Sequence, residues 1–368
     1  MGKLPDKMSA MVLIGHGGLD KLEYRKDWPT PQPGPGEVVV KVGACGLNNT
    51  DINTRTGWYA KSVTEGTTTE GGTEGFEKSE DEVGGWGAGG VQFPRIQGAD
   101  VAGTIAAVGE GVSEGRIGER VMIDPWLLGP GDYMDNTTTG FFGSESDGGF
   151  AEYTKVPAVN AVALKSPLTD AELATFPCAY VTAENLIAHT GLKPGETVVI
   201  TGASGGVGTA AIQLCRLRGA EIIAIAGAAK ASIVKELGAH HVIDRNEEDL
   251  ESAIVNAAGR NPEVALDVVG GPMFNPLISA LRYGGRYSTS GAIGGPSVQF
   301  DLRDLMYKDL QMTGATIVPP GTMARIVRLI EQGELKPLLA QSFPLKELAE
   351  AQQAFMAKSH VGNIVVTI

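Results

Sequence analysis

The 368-residue sequence predicts an α/β protein in which a doubly wound parallel sheet is inserted into a second domain built as a small β-barrel. Three observations carry this. Short β-branched runs separated by glycine-rich turns fill the first third of the chain. From Asp170 onward apolar strands alternate with helical periods, which is the βαβ rhythm of a parallel sheet. A last apolar strand, residues 362–368, has no partner pattern within that rhythm and is expected to return to the first domain. The length also exceeds what one core usually serves, so two domains are expected.

In chain order, residues 38–44 (VVVKVGA) follow the turn-rich stretch 29–36 and read as a strand, and residues 101–108 and 120–123 continue the pattern. Between them residues 61–90 are Gly, Thr, Ser and Glu with almost no aliphatic side chains. Such a stretch buries too little apolar surface to fix one conformation, which predicts a mobile loop, either an active-site lid or a decorative insertion. Residues 126–147 form a second irregular insertion. In the later part, strands are expected at 197–201, 221–226, 241–243, 264–269 and 285–290, with helices at 207–218 and 230–237. Two amphipathic helices, 323–332 and 345–356, follow Val318-Pro319-Pro320. The domain boundaries expected from this are 1–162 plus 320–368 for the β-rich domain and 163–319 for the parallel sheet.

Composition narrows the function. Hydrophobic residues at 42% and charged residues at 20% are ordinary globular usage. A net charge of -13 repels phosphate backbones and anionic lipid, so neither nucleic acid nor a membrane surface is expected as a partner. Cys45, Cys178 and Cys215 are too few and too far apart for a disulfide framework or a zinc ribbon, which fits a reducing cytoplasm. The opening MGKLPDKMSAMVLIG has no run long enough to span a bilayer and no cleavage site.

The most informative motif is Gly202-Ala203-Ser204-Gly205-Gly206-Val207-Gly208, directly after a strand and directly before a helix. Glycines let the backbone turn tightly and approach a pyrophosphate, and the helix N-terminus offers free N–H groups and the positive end of its dipole. In that setting the motif predicts a Rossmann dinucleotide site. An acidic residue about twenty positions on would select NAD. Here the second strand ends Ala226-Gly227-Ala228-Ala229-Lys230, with no carboxylate. Lys230, and Arg245 after the third strand, suit a 2′-phosphate, so NADPH is expected, with Asp244 keeping NAD open. Gly270, Gly271, Ser290, Gly291 and Ala292 follow the fourth and fifth strands at the carboxyl edge and are candidate nicotinamide-side contacts.

Several further segments resemble one family. Residues 46–53 (GLNNTDIN), 98–103 (GADVAG), 108–112 (VGEGV), 147–153 (DGGFAEY), the loop 203–208 and the closing 362–365 (GNIV) are similar to the medium-chain dehydrogenase/reductase superfamily over nearly the whole chain, outside the two insertions. Within it the likeness is to the zinc-free quinone oxidoreductase and enoyl thioester reductase branches. The resemblance implies a GroES-like β-barrel carrying an inserted Rossmann domain, a small-molecule substrate and a homodimer, with strands near 298–300 paired between copies. Zinc-bearing relatives place Cys at the position of Asn48 and His-Glu at Ala99-Asp100, and a third ligand often at that of Cys178. No metal is therefore expected.

Without a Lewis acid, reduction is easier to support than alcohol oxidation. Hydride from NADPH adding to a quinone or to the β-carbon of an enone leaves an oxyanion that needs only hydrogen-bond donors and a later proton. Residues 53–59 (NTRTGWY) resemble the segment by which enoyl thioester reductases bring a tyrosine into the pocket, which makes Tyr59 the candidate donor. The resemblance departs where the long insertion begins directly after it. Asn48 is expected to orient the substrate or the nicotinamide carboxamide, and Asp51 to stabilise local backbone. Two other readings stay open: a carbonyl or alcohol dehydrogenase relative that has lost its metal, and a non-catalytic NADPH-binding protein.

Overall fold

The computed structural model describes residues 4–67, 69–76, 90–135 and 137–368. They form two compact units. Unit 1 combines Met1–Val63, Thr69–Cys178 and Pro319–Ile368, and unit 2 combines Thr64–Thr68 and Ala179–Val318.

Unit 1 starts with a two-stranded antiparallel hairpin, β1 (Lys7–Leu13) and β2 (Leu22–Pro29), with a register shift between Met8 and Ala10. The long strand β3 (Glu37–Gly46) leads into helix α1 (Asn49–Thr56) and the short helix α2 (Thr69–Glu74). Then come β4 (Asp100–Val108), β5 (Arg120–Ile123), the paired fragments β6 (Trp126–Leu127) and β7 (Gly140–Phe141), β8 (Tyr153–Pro157), β9 (Ala161–Ala163) and α3 (Asp170–Leu173), after which α4 (Pro177–Thr190) carries the chain out of unit 1 and belongs to unit 2 from Ala179 onward.

Unit 2 holds six parallel strands: β10 (Thr197–Ile200), β11 (Glu221–Ala226), β12 (His241–Asp244), β13 (Val264–Asp267), β14 (Arg286–Thr289) and β15 (Gln311–Gly314). Helices α5 (Gly206–Leu217), α6 (Ala231–Glu236), α7 (Leu250–Ala258), α8 (Phe274–Ala280) and α9 (Leu302–Tyr307) alternate with them. The strand order is β12-β11-β10-β13-β14-β15, so the direction of winding reverses between β10 and β13. β10 and β13 are buried along their whole length and accordingly read as unbroken rather than alternating runs, as strands covered on both faces do.

The chain then returns to unit 1 through α10 (Thr322–Glu331), β16 (Leu339–Pro344), α11 (Leu348–Met356) and β17 (Asn363–Thr367). β17 pairs antiparallel with β3, the return expected of the last strand. It takes Ala44–Gly46 of that edge while β8 takes Glu37–Lys41, and β4 runs along the other edge, so β3 is the centre of the barrel sheet. Val40, Val42, Ile105, Ile123, Phe150, Val156 and Ile364 fill the core, each large aliphatic or aromatic side chain contributing about 2 kcal/mol on burial.

The insertions depart from the sequence expectation. Residues 69–76 are packed and not loose, although Gly71 and Gly72 disfavour helix. Tertiary contacts decide it: Arg55, fully buried in α1, donates to the carbonyls of Gly72 and Gly17 and, at 2.8 Å, to Gln352 Oε1. The Phe76 N–H adds a bond to the Thr56 carbonyl at 3.0 Å. A β-carbon on Gly72 would lie 2.5 Å from Met356 Sδ, so the glycine permits the contact. Burial lowers the Arg55 pKa to about 10, which leaves the guanidinium charged at neutral pH. Residues 77–89 of that stretch lie outside the described residues. In the second insertion Trp126 and Phe141 meet edge to face at 5.1 Å and Phe142 is fully buried. No helix of the described chain is long and apolar enough to cross a membrane.

Candidate functional site

In unit 2 the carboxyl ends of β10 and β13 flank the point where the winding reverses, the place where open α/β sheets bind ligands. After β10 the chain turns through Gly202, at φ +56, and Gly205 becomes the N-cap of α5. Ala203 is buried and its N–H bonds the Ile225 carbonyl at 3.1 Å, while Ser204, Gly205, Gly206 and Val207 carry the turn into the helix. A β-carbon on Gly208 would sit 2.3 Å from the Gly202 carbonyl oxygen, so helix and turn approach more closely than any side chain allows. At a helix start of this kind the first backbone N–H groups have no carbonyl partner within the helix.

The turn is braced by a residue that the sequence motif does not reveal. Asp267, fully buried at the end of β13, accepts hydrogen bonds from Thr201 Oγ1 at 2.5 Å, the Val269 N–H at 2.8 Å and the Tyr287 hydroxyl at 2.7 Å. Thr201 Oγ1 in turn accepts from the Val268 N–H at 3.0 Å. The ends of three neighbouring strands are thereby locked together. Its only sequence signal is an acid closing an apolar strand (VALD).

At the end of β11 the structure brings Lys230 and Arg245 together. Arg245 Nε lies 3.9 Å from the position of a β-carbon on Gly227, and the Arg245 N–H bonds the Ala226 carbonyl. Burial, and then the neighbouring Arg245 charge, lower the Lys230 pKa. Asp244 Oδ1 accepts from the Asn246 N–H at 3.1 Å. Gly270, at φ +63, and Gly271 follow β13, and Ser290, Gly291 and Ala292 follow β14 with the Ser290 N–H on the Asp267 carbonyl at 3.2 Å. These two loops stack too tightly for side chains: a β-carbon on Gly271 would be 2.2 Å from the Gly294 oxygen.

In unit 1 a second polar cluster gathers around the start of α1. The Asn48 N–H donates to Asp51 Oδ2 at 2.8 Å, which secures the helix start, and the Gly98 N–H donates to Asp51 Oδ1 at 3.2 Å. Asp51 therefore stabilises backbone, as the sequence suggests. Asn48 Nδ2 donates to Asp100 Oδ2 at 2.8 Å, and the Cys178 N–H donates to Asp100 Oδ1 at 2.6 Å. Asp100 is fully buried and central to the cluster. Its hydrogen-bond partners cannot be read from the sequence, where they lie 52 and 78 residues away. Tyr59 projects a half-buried ring packed edge-on against Trp58 at 5.6 Å. Its hydroxyl is hydrogen-bonded to Thr50 and Asn53, and burial raises its pKa above the ordinary phenol range. Cys178 is half-buried, close enough to influence Tyr59 electrostatically.

Burial pushes the Asp51 and Asp100 carboxyls up to about 7, and Asp124 up to about 6, from an ordinary 3.8. The folded state thus holds protons between pH ~4 and ~7 that the unfolded chain has released, and stability falls as pH rises through that window. Groups shifted the other way, such as Glu196 and Glu221, act only below their ordinary 4.5. Urea unfolding should therefore give a smaller free energy at pH 8 than at pH 5. A flat or rising profile would mean that these buried carboxyls are ionised throughout.

Comparison with known proteins fits both units. Residues 34–166 match the alcohol dehydrogenase GroES-like domain family, and residues 206–332 match the family described as zinc-binding dehydrogenase. The human quinone oxidoreductase is 28% identical over 355 residues, covering 94% of this chain and 93% of that protein. Acryloyl-coenzyme A reductase of Sulfurisphaera tokodaii is 26% identical over 372 residues, covering 98% and 99%. A solved Sinorhizobium meliloti 1021 structure, provisionally assigned as an alcohol dehydrogenase, superposes with a TM-score of 0.89 at 44% identity over 99% of this chain and 97% of that one. With both domains matched and a relative of that identity along its whole length, the chain belongs to the medium-chain dehydrogenase/reductase superfamily of nicotinamide-dependent oxidoreductases.

Proposed function

We propose that the protein is an NADPH-dependent, zinc-independent reductase of a quinone or of the activated C=C of an α,β-unsaturated carbonyl. The observation that carries this reading is the closed hydrogen-bond set at the positions that hold zinc in metal-bearing relatives. Residue 99 is alanine, Asn48 offers an amide, and both Asp100 oxygens are already committed to Asn48 Nδ2 and the Cys178 N–H. A catalytic zinc needs three Cys, His or carboxylate ligands. Among the described residues no group of three or more such side chains is gathered. This donor set does not fit the ion.

The residues do fit a nicotinamide dinucleotide phosphate. The turn from Ala203 to Gly208 would hold the pyrophosphate, Lys230 and Arg245 the 2′-phosphate, and Gly270, Ser290, Gly291 and Ala292 the nicotinamide end. Bound NADPH supplies the hydride. Tyr59 would donate a hydrogen bond to the carbonyl oxygen of an enone, which takes up the C=O π pair as the C=C pair shifts to the adjacent C–C bond and the β-carbon accepts the hydride. Because burial raises its pKa, Tyr59 keeps its proton and acts as a donor and not as an acid. The α-carbon proton then comes from water. Thr50 and Asn53 aim the hydroxyl. Asn48, its amide nitrogen held by Asp100, orients the substrate or the nicotinamide carboxamide through its oxygen.

The test is NADPH oxidation with a panel of small quinones and enones, set against NADP+ reduction with alcohols. Turnover with the first and none with the second is expected. The reverse would favour a carbonyl or alcohol dehydrogenase, the reading that the assignment of the Sinorhizobium meliloti relative supports. Cofactor choice has its own test. Replacing both Lys230 and Arg245 by alanine should raise KM for NADPH by about tenfold or more, the worth of a charge-assisted phosphate contact, and leave that for NADH unchanged. Equal effects on both cofactors would contradict the 2′-phosphate assignment.

A homodimer is part of the reading. Leu302, Met306 and Tyr307 are 60–67% exposed and, with Val298, form an apolar stretch leading into the edge strand β15. Sedimentation of a monomer at micromolar concentration would contradict it.

A further inference from the structure

Unit 2 is not built from the inserted domain alone. Between Val63 and Thr69, both in unit 1, the chain contributes Thr64–Thr68 to unit 2, five residues after Tyr59. This segment lies at the start of the insertion and bonds the loop that follows β14. The Thr67 N–H donates to the Ile293 carbonyl at 2.9 Å. A β-carbon on Gly66 would be 2.6 Å from that same oxygen and 3.0 Å from the Gly294 carbonyl carbon, so the two backbones lie in direct contact. The loop is also held from the β13 side, by the Gly294 N–H on the Val269 carbonyl at 2.7 Å.

We propose that residues 64–67 are a positioning strap that pre-orders the loop 291–295 for the nicotinamide end of the cofactor, resting on the reading that residues 290–292 contact that end. The loop contains Gly291, Gly294 and Gly295 and would otherwise sample many conformations. Fixing a backbone residue costs conformational entropy, and a loop already ordered spares the ligand that cost on binding. The contact made at Gly66 and Thr67 is one of backbone against backbone, which accounts for a glycine at 66.

The test uses the full-length protein and two probes titrated calorimetrically: NADPH, and adenosine 2′,5′-bisphosphate, which lacks the nicotinamide half. Thr67→Pro removes the N–H, and Gly66→Val forces the backbones apart. Each variant should bind NADPH about tenfold more weakly and adenosine 2′,5′-bisphosphate as wild type does, which also reports an intact fold. Unchanged NADPH affinity in both variants would overturn the strap, as would equal losses for the two probes. If wild type itself binds NADPH no tighter than adenosine 2′,5′-bisphosphate, the nicotinamide reading of residues 290–292 fails and the strap proposal with it.

Discussion

Tyr59→Phe is expected to lower kcat by about 10²-fold while leaving the NADPH dissociation constant unchanged, the loss typical of one removed oxyanion donor. The argument rests on what the substitution spares. The ring is half-buried and stacked edge-on with Trp58, contacts that phenylalanine keeps. Only the hydroxyl and its bonds to Thr50 and Asn53 disappear. A donor that acts on charge appearing in the transition state affects kcat more than ground-state binding. Stopped-flow turnover with the best enone or quinone, together with fluorescence titration of NADPH, separates the two quantities. Unchanged kcat would remove Tyr59 from the mechanism.

Gly208→Ala should be costly in the turn proposed to hold the cofactor. Its β-carbon would meet the Gly202 oxygen at 2.3 Å, the Ala203 α-carbon at 2.6 Å and the Gly202 carbonyl carbon at 2.8 Å, all of them backbone atoms that cannot rotate aside. Nor can the turn retreat, since Thr201 before it is anchored to Asp267. The expected result is an overpacking loss of about 1–3 kcal/mol in unfolding free energy and NADPH binding weakened by about 10²-fold. Gly205→Ala is the informative contrast. Its φ of -85 suits any residue and its nearest neighbour would be 3.5 Å away, so its unfolding free energy should stay within about 0.5 kcal/mol of wild type. Chemical denaturation of the two variants side by side checks this. Equal stabilities would mean that the close approach of helix and turn is not real.

What could be read from sequence divides along physical lines. The strand, glycine turn and helix at 197–217 were legible because the motif is local: each residue answers a backbone demand within a few positions. The same holds for β3, β4 and β5, whose β-branched runs match the structure closely. β2 is not legible because it is mostly charged and exposed (LEYRKDWP) and lacks an apolar period, which leaves the buried β1 without a visible hairpin partner. β15 is four residues with little burial and carries no pattern. α2 contradicts propensity and exists through Arg55, whose partners come from three separate parts of the chain. The site splits in the same way. Lys230 and Arg245, 15 residues apart in sequence, are adjacent in space because β11 and β12 are parallel neighbours. Asp100 and Asp267 matter only through bonds made across the fold, which no spacing rule exposes.

The central claim is a nicotinamide-dependent reduction that needs no Lewis acid, and the most direct measurement of it is metal analysis of the purified protein paired with turnover before and after chelation. Substoichiometric zinc, and NADPH-dependent reduction of a quinone or enone that survives chelation and gains nothing from added zinc, are predicted. One zinc per chain whose removal abolishes turnover and whose return restores it would contradict the account.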